Sequence, residues 1–351
     1  MARLRRVDCA GPGLTRRRRG RGWSYYTASG ERITDPDIVQ RIDQLVIPPA
    51  WRDVWICSLA NGHIQAVGTD AAGRRQYRYH DYWRLQRDTA KHARILDFAK
   101  RLSAVRQTVA AHLTERGLTR NRVLAASVRL LDLGFFRVGS EEYAEENNTF
   151  GLATMRREHV TISRGVITFD YPAKGSKQRV HSLADDEVCA VVTALKRRRS
   201  GGEELLAYRE GNQWRDIGSD DVNTYLHQVT GGDFTAKDFR TWHATVLMAV
   251  GLAVSVEAPT TSTARKRAVN RAVQEVAAYL GNTPAVCRRS YIDPRVIDLY
   301  YDGVTIERTL TRLGADAQFG QLATQGAIEG AVLRMLRTSP KSGRRSGQVV
   351  A

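Results

Sequence analysis

The chain is short of the residues that build metal and redox centres. Its four cysteines, Cys9, Cys57, Cys189 and Cys287, lie far apart and form no CxxC pair. They read as reduced thiols of a cytosolic protein rather than as a disulfide framework. The eight histidines are scattered, with no HExxH and no Cys/His cluster, so no metal site is legible. A GxxxxGK[ST] loop is missing as well. KGSK at 174–177 lacks the upstream glycine, so neither a nucleotide nor any other cofactor is expected. The longest apolar run covers 244–256, too short to cross a bilayer. The basic N-terminus has no apolar core of a signal peptide, and no membrane association is expected.

Acidic charge is the other shortage. Lys and Arg number 54 against 37 Asp and Glu, leaving a net charge of +17. That imbalance points to a polyanionic partner, nucleic acid first. It is unevenly spread: residues 1–22 hold eight arginines and one acid, and 337–351 hold four bases and no acid, so the two ends carry +11. Like-charge runs are usually solvated arms. The folded middle therefore needs a nucleic-acid signal of its own.

An apolar fraction of 42% over 351 residues is globular and sufficient for two domains. We expect a basic disordered arm over 1–22, a β-rich module over 23–88, a larger domain over 89–336 and a basic tail over 337–351. In the module, Asp35–Leu45 reads as a short helix closed by Ile47-Pro48-Pro49. Two short runs around Asn61-Gly62 read as a hairpin, and RRQYRYHDYW as an aromatic-rich strand. From residue 88 the period changes. Ile95, Phe98, Leu102, Val105, Val109 and Leu113 recur at helical spacing, with Gly117 as a stop. A second helix covers 121–133. HVTISRGVITFDYPAKGSKQRVHSL then reads as a three-stranded sheet with turns at Arg164-Gly165 and Ala173–Lys177. After it only helices are expected, near 185–198, 220–229, 236–254, 264–280, 293–301 and 320–336. The fold class is α+β, a small β-rich domain followed by a mainly helical one with an embedded sheet.

Five stretches combine cations with Gly or aromatic punctuation: FFRVGSEEY (135–143), YPAKGSK (171–177), KDFRTWH (237–243), LGNTP (280–284) and RRSY (288–291). A phenol, with its pKa near ~10, is a weak nucleophile at neutral pH. Attack on a phosphodiester also builds negative charge on the non-bridging oxygens. Arginines beside the phosphate ease both problems through bidentate, charge-assisted hydrogen bonds. The leaving sugar oxygen needs a proton, which a lysine next to arginines can supply. Two arginines, a lysine, a neutral donor and a tyrosine thus suffice for phosphoryl transfer. Taken singly, each has a plain alternative: Tyr291 as a packing tyrosine, Arg137 as an ion-pairing residue, Lys174 as a solvated turn lysine.

Taken in order, the set resembles the type IB DNA topoisomerases of the poxvirus and bacterial kind, a likeness running from about 30 to about 300. FFRVGSEEYAEENNTFGLATM resembles the segment of the family's first arginine, which implies Arg137. The Tyr171–Lys177 turn resembles its lysine hairpin, implying Lys174. KDFRTWHAT resembles its second-arginine helix, implying Arg240, and RRSYIDP carries the tyrosine, implying Tyr291. IPPAW (47–51) and GRRQYRYH (73–80) resemble its DNA-clamping domain. Two positions depart from the poxvirus pattern. Asn282 stands where poxvirus members have histidine, retaining a hydrogen-bond donor without a cation, and Ser140 replaces a basic residue. His243, one helical turn after Arg240, is either a compensating cation or a packing histidine.

The resemblance implies an ATP-independent topoisomerase: Tyr291 forms a 3′-phosphotyrosyl link to one strand of supercoiled duplex DNA, Arg137, Arg240 and Asn282 hold the phosphate, and Lys174 protonates the leaving 5′-oxygen. It further implies a monomer acting in the cytoplasm at the nucleoid. Expected DNA contacts are Arg74, Arg75, Gln76, Tyr77 and Tyr79 on the aromatic strand, with Tyr143 and Arg288. Strand alternation puts Gln76 opposite Tyr77 and Tyr79 unless the strand bends or ends. Two rivals remain: a tyrosine recombinase with the same Arg/Lys/Arg/Tyr logic, and a non-enzymatic DNA architectural protein that binds through its basic arms.

Overall fold

The computed structural model describes residues 3–134, 136–139, 149–174, 177–255, 261–315 and 325–338. Tyr143, Ser140 and nearly all of the expected basic tail lie outside them. The chain divides into two compact units, Met1–Ala93 and Arg94–Ala351, so the break falls a few residues beyond the change of period at 88.

The first unit is a five-stranded antiparallel sheet in the order β2-β1-β3-β4-β5, built from β1 (Leu14–Arg19), β2 (Gly22–Tyr26), β3 (Arg52–Ile56), β4 (Ile64–Thr69) and β5 (Arg75–Tyr79). Helix α1 (Pro36–Gln44) is capped by Asp35, whose carboxylate accepts from the Asp37 and Ile38 amides, with proline at the first position. It buries Ile42 against Leu14, Tyr25, Val54, Ile56 and Ala66. Here the disordered arm expected over 1–22 is corrected, because β1 lies inside it. Leu14 faces the core, and Arg16 lays its guanidinium on the Trp23 ring at 4.0 Å. The same guanidinium donates to the carbonyls of Ile47, Pro48 and Trp51. An arginine with an aromatic shelf and three acceptors is a strand residue, not a solvated charge. The hairpin around Asn61-Gly62 exists as the β3–β4 pair, but its loop is longer than a two-residue turn: Gln65 Nε2 donates to Leu59, Ala60 and Gly62 carbonyls and holds it open.

Helix α2 (Asp81–Leu113) begins inside the stretch expected to be strand. The second unit then continues with α3 (Arg120–Gly134). An antiparallel sheet follows, β6 (Val160–Ser163), β7 (Val166–Ala173) and β8 (Lys177–Ala184). The β6–β7 turn sits on Arg164 and Gly165, both at positive φ (50° and 79°), as a tight hairpin turn requires. Next come α4 (Asp186–Arg197), β9 (Ala207–Glu210), β10 (Gln213–Asp216), α5 (Ser219–Thr230), α6 (Ala236–Val254), α7 (Ser262–Leu280), α8 (Pro284–Ser290), α9 (Pro294–Tyr301), α10 (Glu307–Ala315) and α11 (Ala327–Arg337). Two expectations are corrected. The β9–β10 hairpin interrupts what was read as helix only, turning at Gly211 with φ 58°. The helix expected near 293–301 is found as α9, but a further short helix not expected there, α8, precedes it, ending where Tyr291 caps it.

The apolar stripe of α2 is buried as its spacing predicts: Ile95, Phe98, Leu102, Val105, Val109 and Leu113 are all at most 2% exposed. Beneath α6 lies a buried polar network. Arg106 donates to both Asp132 and Glu329, Trp242 Nε1 donates to Glu329, and His243 Nε2 meets Asp132 at 3.2 Å. No helix among the described residues is long and apolar enough to cross a membrane.

Candidate active site

The site is assembled at the C-terminal end of α7. That helix ends on Leu280 with Gly281 in the left-handed conformation, φ 62° and ψ 43°, a conformation open to glycine at little cost. The Asn282 amide closes back on Ala277 O at 2.9 Å. Thr283 then caps α8, its hydroxyl accepting from Val286 N, with Pro284 at the first position. LGNTP is thus a helix stop, a linking residue and a helix start.

The last carbonyls of a helix have no intrahelical partner and carry the negative end of its dipole. Here three of them gather guanidinium groups. Arg179 donates to Tyr279 O, Arg240 donates to Leu280 O at 2.7 Å, and Arg137 donates to Gly281 O at 2.9 Å. Arg137 also donates to Asn282 Oδ1. Three cations from strand, helix and loop are held together against their mutual repulsion by one helix terminus.

Arg137 is fixed by its backbone. Its carbonyl accepts from Leu152 N at 2.8 Å, and that of Val138 from Ala153 N at 2.7 Å. The pairing requires two glycines back to back: a Cβ on Gly139 would stand 2.9 Å from the Gly151 Cα, and one on Gly151 would stand 2.4 Å from the Gly139 Cα. Arg240 comes from α6 and is 4% exposed. Burial, and then the neighbouring Arg137, pull its pKa down to about 10, which leaves it charged at neutral pH. Its guanidinium lies 5.4 Å from the centre of the Tyr291 ring. The Tyr291 backbone is set by its amide on Cys287 O at 3.0 Å and by Thr245 Oγ1, which donates to Tyr291 O at 3.4 Å. Cys287 is fully buried, and burial pushes its thiol up to about 11.

A cavity of about 340 Å³ is lined by Arg137, Lys174, Lys237, Arg240 and Tyr291. A second, of about 260 Å³, is lined by Arg137, Lys174, Arg179, Arg240 and Asn282. The five residues singled out from sequence therefore border two cavities that share Arg137, Lys174 and Arg240. Lys174 is exposed at the end of β7. Asn282 Nδ2 is buried with no hydrogen-bond partner among the described residues.

Two cations were not singled out from sequence. Lys237 stands one helical turn before Arg240 on the same motif, a spacing that could have flagged it. Arg179 sits in a strand where alternation says nothing of its partner, a carbonyl 100 residues away. His243 is 1% exposed and turned to Asp132. Arg288 is exposed on α8 and borders neither cavity. In the first unit, Tyr77 and Tyr79 stack at 5.9 Å on an exposed face, and Arg75 lies 5.7 Å from the Tyr77 ring. Gln76 is on the other face and donates to Asp70 Oδ2 at 3.0 Å, and Arg74 pairs with the same carboxylate at 2.9 Å. The alternation holds at Gln76.

Residues 80–305 match the family described as Eukaryotic DNA topoisomerase I, catalytic core, and residues 22–70 match Bacterial DNA topoisomerase IB, N-terminal domain. DNA topoisomerase 1B of Acanthamoeba polyphaga mimivirus is 31% identical over 283 residues, 79% of this chain and 83% of that protein. DNA topoisomerase 1B of Vaccinia virus (strain Western Reserve) is 22% identical over 242 residues, 67% of this chain and 72% of that protein. DNA topoisomerase 1 of Schizosaccharomyces pombe is 28% identical over 134 residues, 38% of this chain and 16% of that protein. With both units matched in order and a viral relative aligned over most of the length, the chain belongs to the type IB DNA topoisomerases.

Proposed function

We propose that the chain relaxes supercoiled duplex DNA as a monomer, without a nucleotide, through a transient 3′-phosphotyrosyl bond at Tyr291. The observation that carries this reading is the Tyr291 ring, 5.4 Å from the guanidinium of the buried Arg240, on a cavity that Arg137 and Lys174 also line. The phenolic oxygen attacks phosphorus and the bond to the 5′-oxygen breaks. The phenolic proton is released to solvent, and Lys174 delivers one to the 5′-oxygen and is reprotonated. One phosphodiester replaces another, so religation is the same step reversed and no nucleotide is consumed. Arg137 and Arg240 neutralise charge on the non-bridging oxygens. The buried Asn282 amide donor supports a further contact to the phosphate. One copy supplies every group, which supports action as a monomer, and a DNA substrate of this kind puts the work at the nucleoid.

The test is Tyr291→Phe against the parent. We expect the variant to bind duplex DNA with unchanged affinity, to leave a supercoiled plasmid unrelaxed in the absence of ATP, and to yield no DNA-linked protein after denaturation. An adduct that survives in Tyr291→Phe would move the nucleophile elsewhere. A parent protein that exchanges strands between two sites, or that leaves the linking number unchanged, would favour the recombinase or the architectural reading.

A further inference from the structure

We propose that Arg179 is a positioning residue for Lys174, locking the lysine hairpin onto the turn that precedes the tyrosine helix. The inference rests on the reading of Lys174 as the proton donor. Lys174 stands at the tip of the β7–β8 hairpin, so its placement is only as firm as the hairpin's hold on the rest of the site. The strands pair Tyr171 with Arg179, Pro172 with Gln178 and Ala173 with Lys177. On the β7 side, Pro172 O accepts from Phe150 N at 2.8 Å, which ties the hairpin to the loop after Arg137. On the β8 side, Arg179 reaches out of the sheet and donates to Tyr279 O. It also packs against the turn itself: a Cβ on Gly281 would stand 2.5 Å from Arg179 Nη1. The hairpin is gripped on both strands close to its tip, once by backbone and once by this guanidinium.

The placement is costly. Burial, and Arg137 nearby, both disfavour the charged form of Arg179. The β7–β8 ladder is complete without it, so the sheet does not need a cation at this point. What the cation gains is the helix C-terminus, and what it fixes is the distance between the lysine hairpin and the turn carrying Asn282. That turn leads through α8 to Tyr291.

A residue that acts through the proton donor matters only when the leaving group needs a proton. An alkoxide does. A thiolate, whose acid has a pKa near ~8.5, does not. The experiment uses a duplex oligonucleotide spanning a cleavage position mapped with the parent enzyme, made with either oxygen or sulfur at the bridging 5′ position. Arg179→Ala and Arg179→Met should cleave the oxygen substrate on the order of 10²-fold more slowly than the parent, the scale of lost general-acid catalysis. Both should cleave the sulfur substrate at close to the parental rate, and Lys174→Ala should behave alike. Rescue by sulfur also reports folding, since an unfolded variant cleaves neither substrate. Equal slowing on both substrates, or parental rates on both, overturns the proposal. If Lys174→Ala is rescued and the Arg179 variants are not, only the positioning role fails. If Lys174→Ala is not rescued, the proton-donor reading fails and takes the inference with it.

Discussion

A single methyl group at residue 281 tests the local logic of the site. Gly281 has φ 62°, and its missing side chain leaves room for Arg179 Nη1. Gly281→Ala would add left-handed strain of about 1 kcal/mol and push Arg179 aside. We expect the unfolding free energy from a urea titration to fall by about that amount, with slower DNA cleavage. An unchanged midpoint would mean the turn relaxes freely. The glycine is readable from sequence as a helix stop, because LGNTP combines a C-terminal glycine with a threonine cap and a proline. Its second duty is not readable, because the partner is a guanidinium from a distant strand. The same divide runs through the candidate site. The order and kind of Arg137, Lys174, Arg240, Asn282 and Tyr291 are legible in the motifs, but their meeting point is not. Nothing in the spacing says that the carbonyls of Tyr279, Leu280 and Gly281 collect three arginines.

At the scale of elements, the network under α6 sets where Arg240 stands. Burial alone would raise the Asp132 carboxyl, but hydrogen bonds from Arg106 and His243 outweigh it and hold it well below the ordinary carboxylate range. A carboxyl lowered on folding adds stability above its unfolded pKa of 3.8, and that stability is lost only as the pH falls below this value. Glu329 brings α11 into the same network through Arg106 and Trp242. Removing one partner from a buried charged set leaves the others uncompensated, at a cost of roughly 3–5 kcal/mol. Glu329→Ala should therefore lower the urea midpoint strongly, with Glu329→Gln costing less because its amide oxygen still accepts from Trp242. Equal midpoints for the two variants would mean that charge and acceptor contribute nothing separable. Sequence periodicity gives α2 and its buried face, and it gives the β6–β7–β8 sheet with its Arg164-Gly165 turn. It misses the short helices α8 and α10 and the β9–β10 hairpin. Those four-residue strands offer too few alternations to stand out, and their fit depends on packing that only the fold supplies.

For the whole molecule, the question is where the charge of +17 acts. Composition alone assigns most of it to two solvated ends. The structure removes part of the N-terminal share from that class: Arg16 is tied to three carbonyls, and Arg17, Arg18 and Arg19 are exposed along an ordered strand. Arg17 also lies 4.6 Å from the Tyr26 ring. Alternation puts Arg17 and Arg19 on one face and Arg18 on the other, and cations in fixed register on a strand can meet phosphates without the ordering cost of a flexible arm. These three arginines precede residues 22–70, the span matched by the bacterial N-terminal family, so they add to the binding surface rather than define the family. Each phosphate contact contributes about 0.9 to the slope of log affinity against log salt. Replacing Arg17, Arg18 and Arg19 together with glutamine should flatten that slope by about 2–3 and weaken binding at physiological salt. The cleavage rate of DNA already bound should stay at the parental value, because none of the three borders either cavity at Tyr291 or Asn282. Fluorescence anisotropy across a salt series gives the slope, and single-turnover cleavage at saturating protein gives the rate. A parental slope would mean that the strand faces away from the duplex. A reduced single-turnover rate with the slope unchanged would place these arginines in the chemistry rather than in the grip.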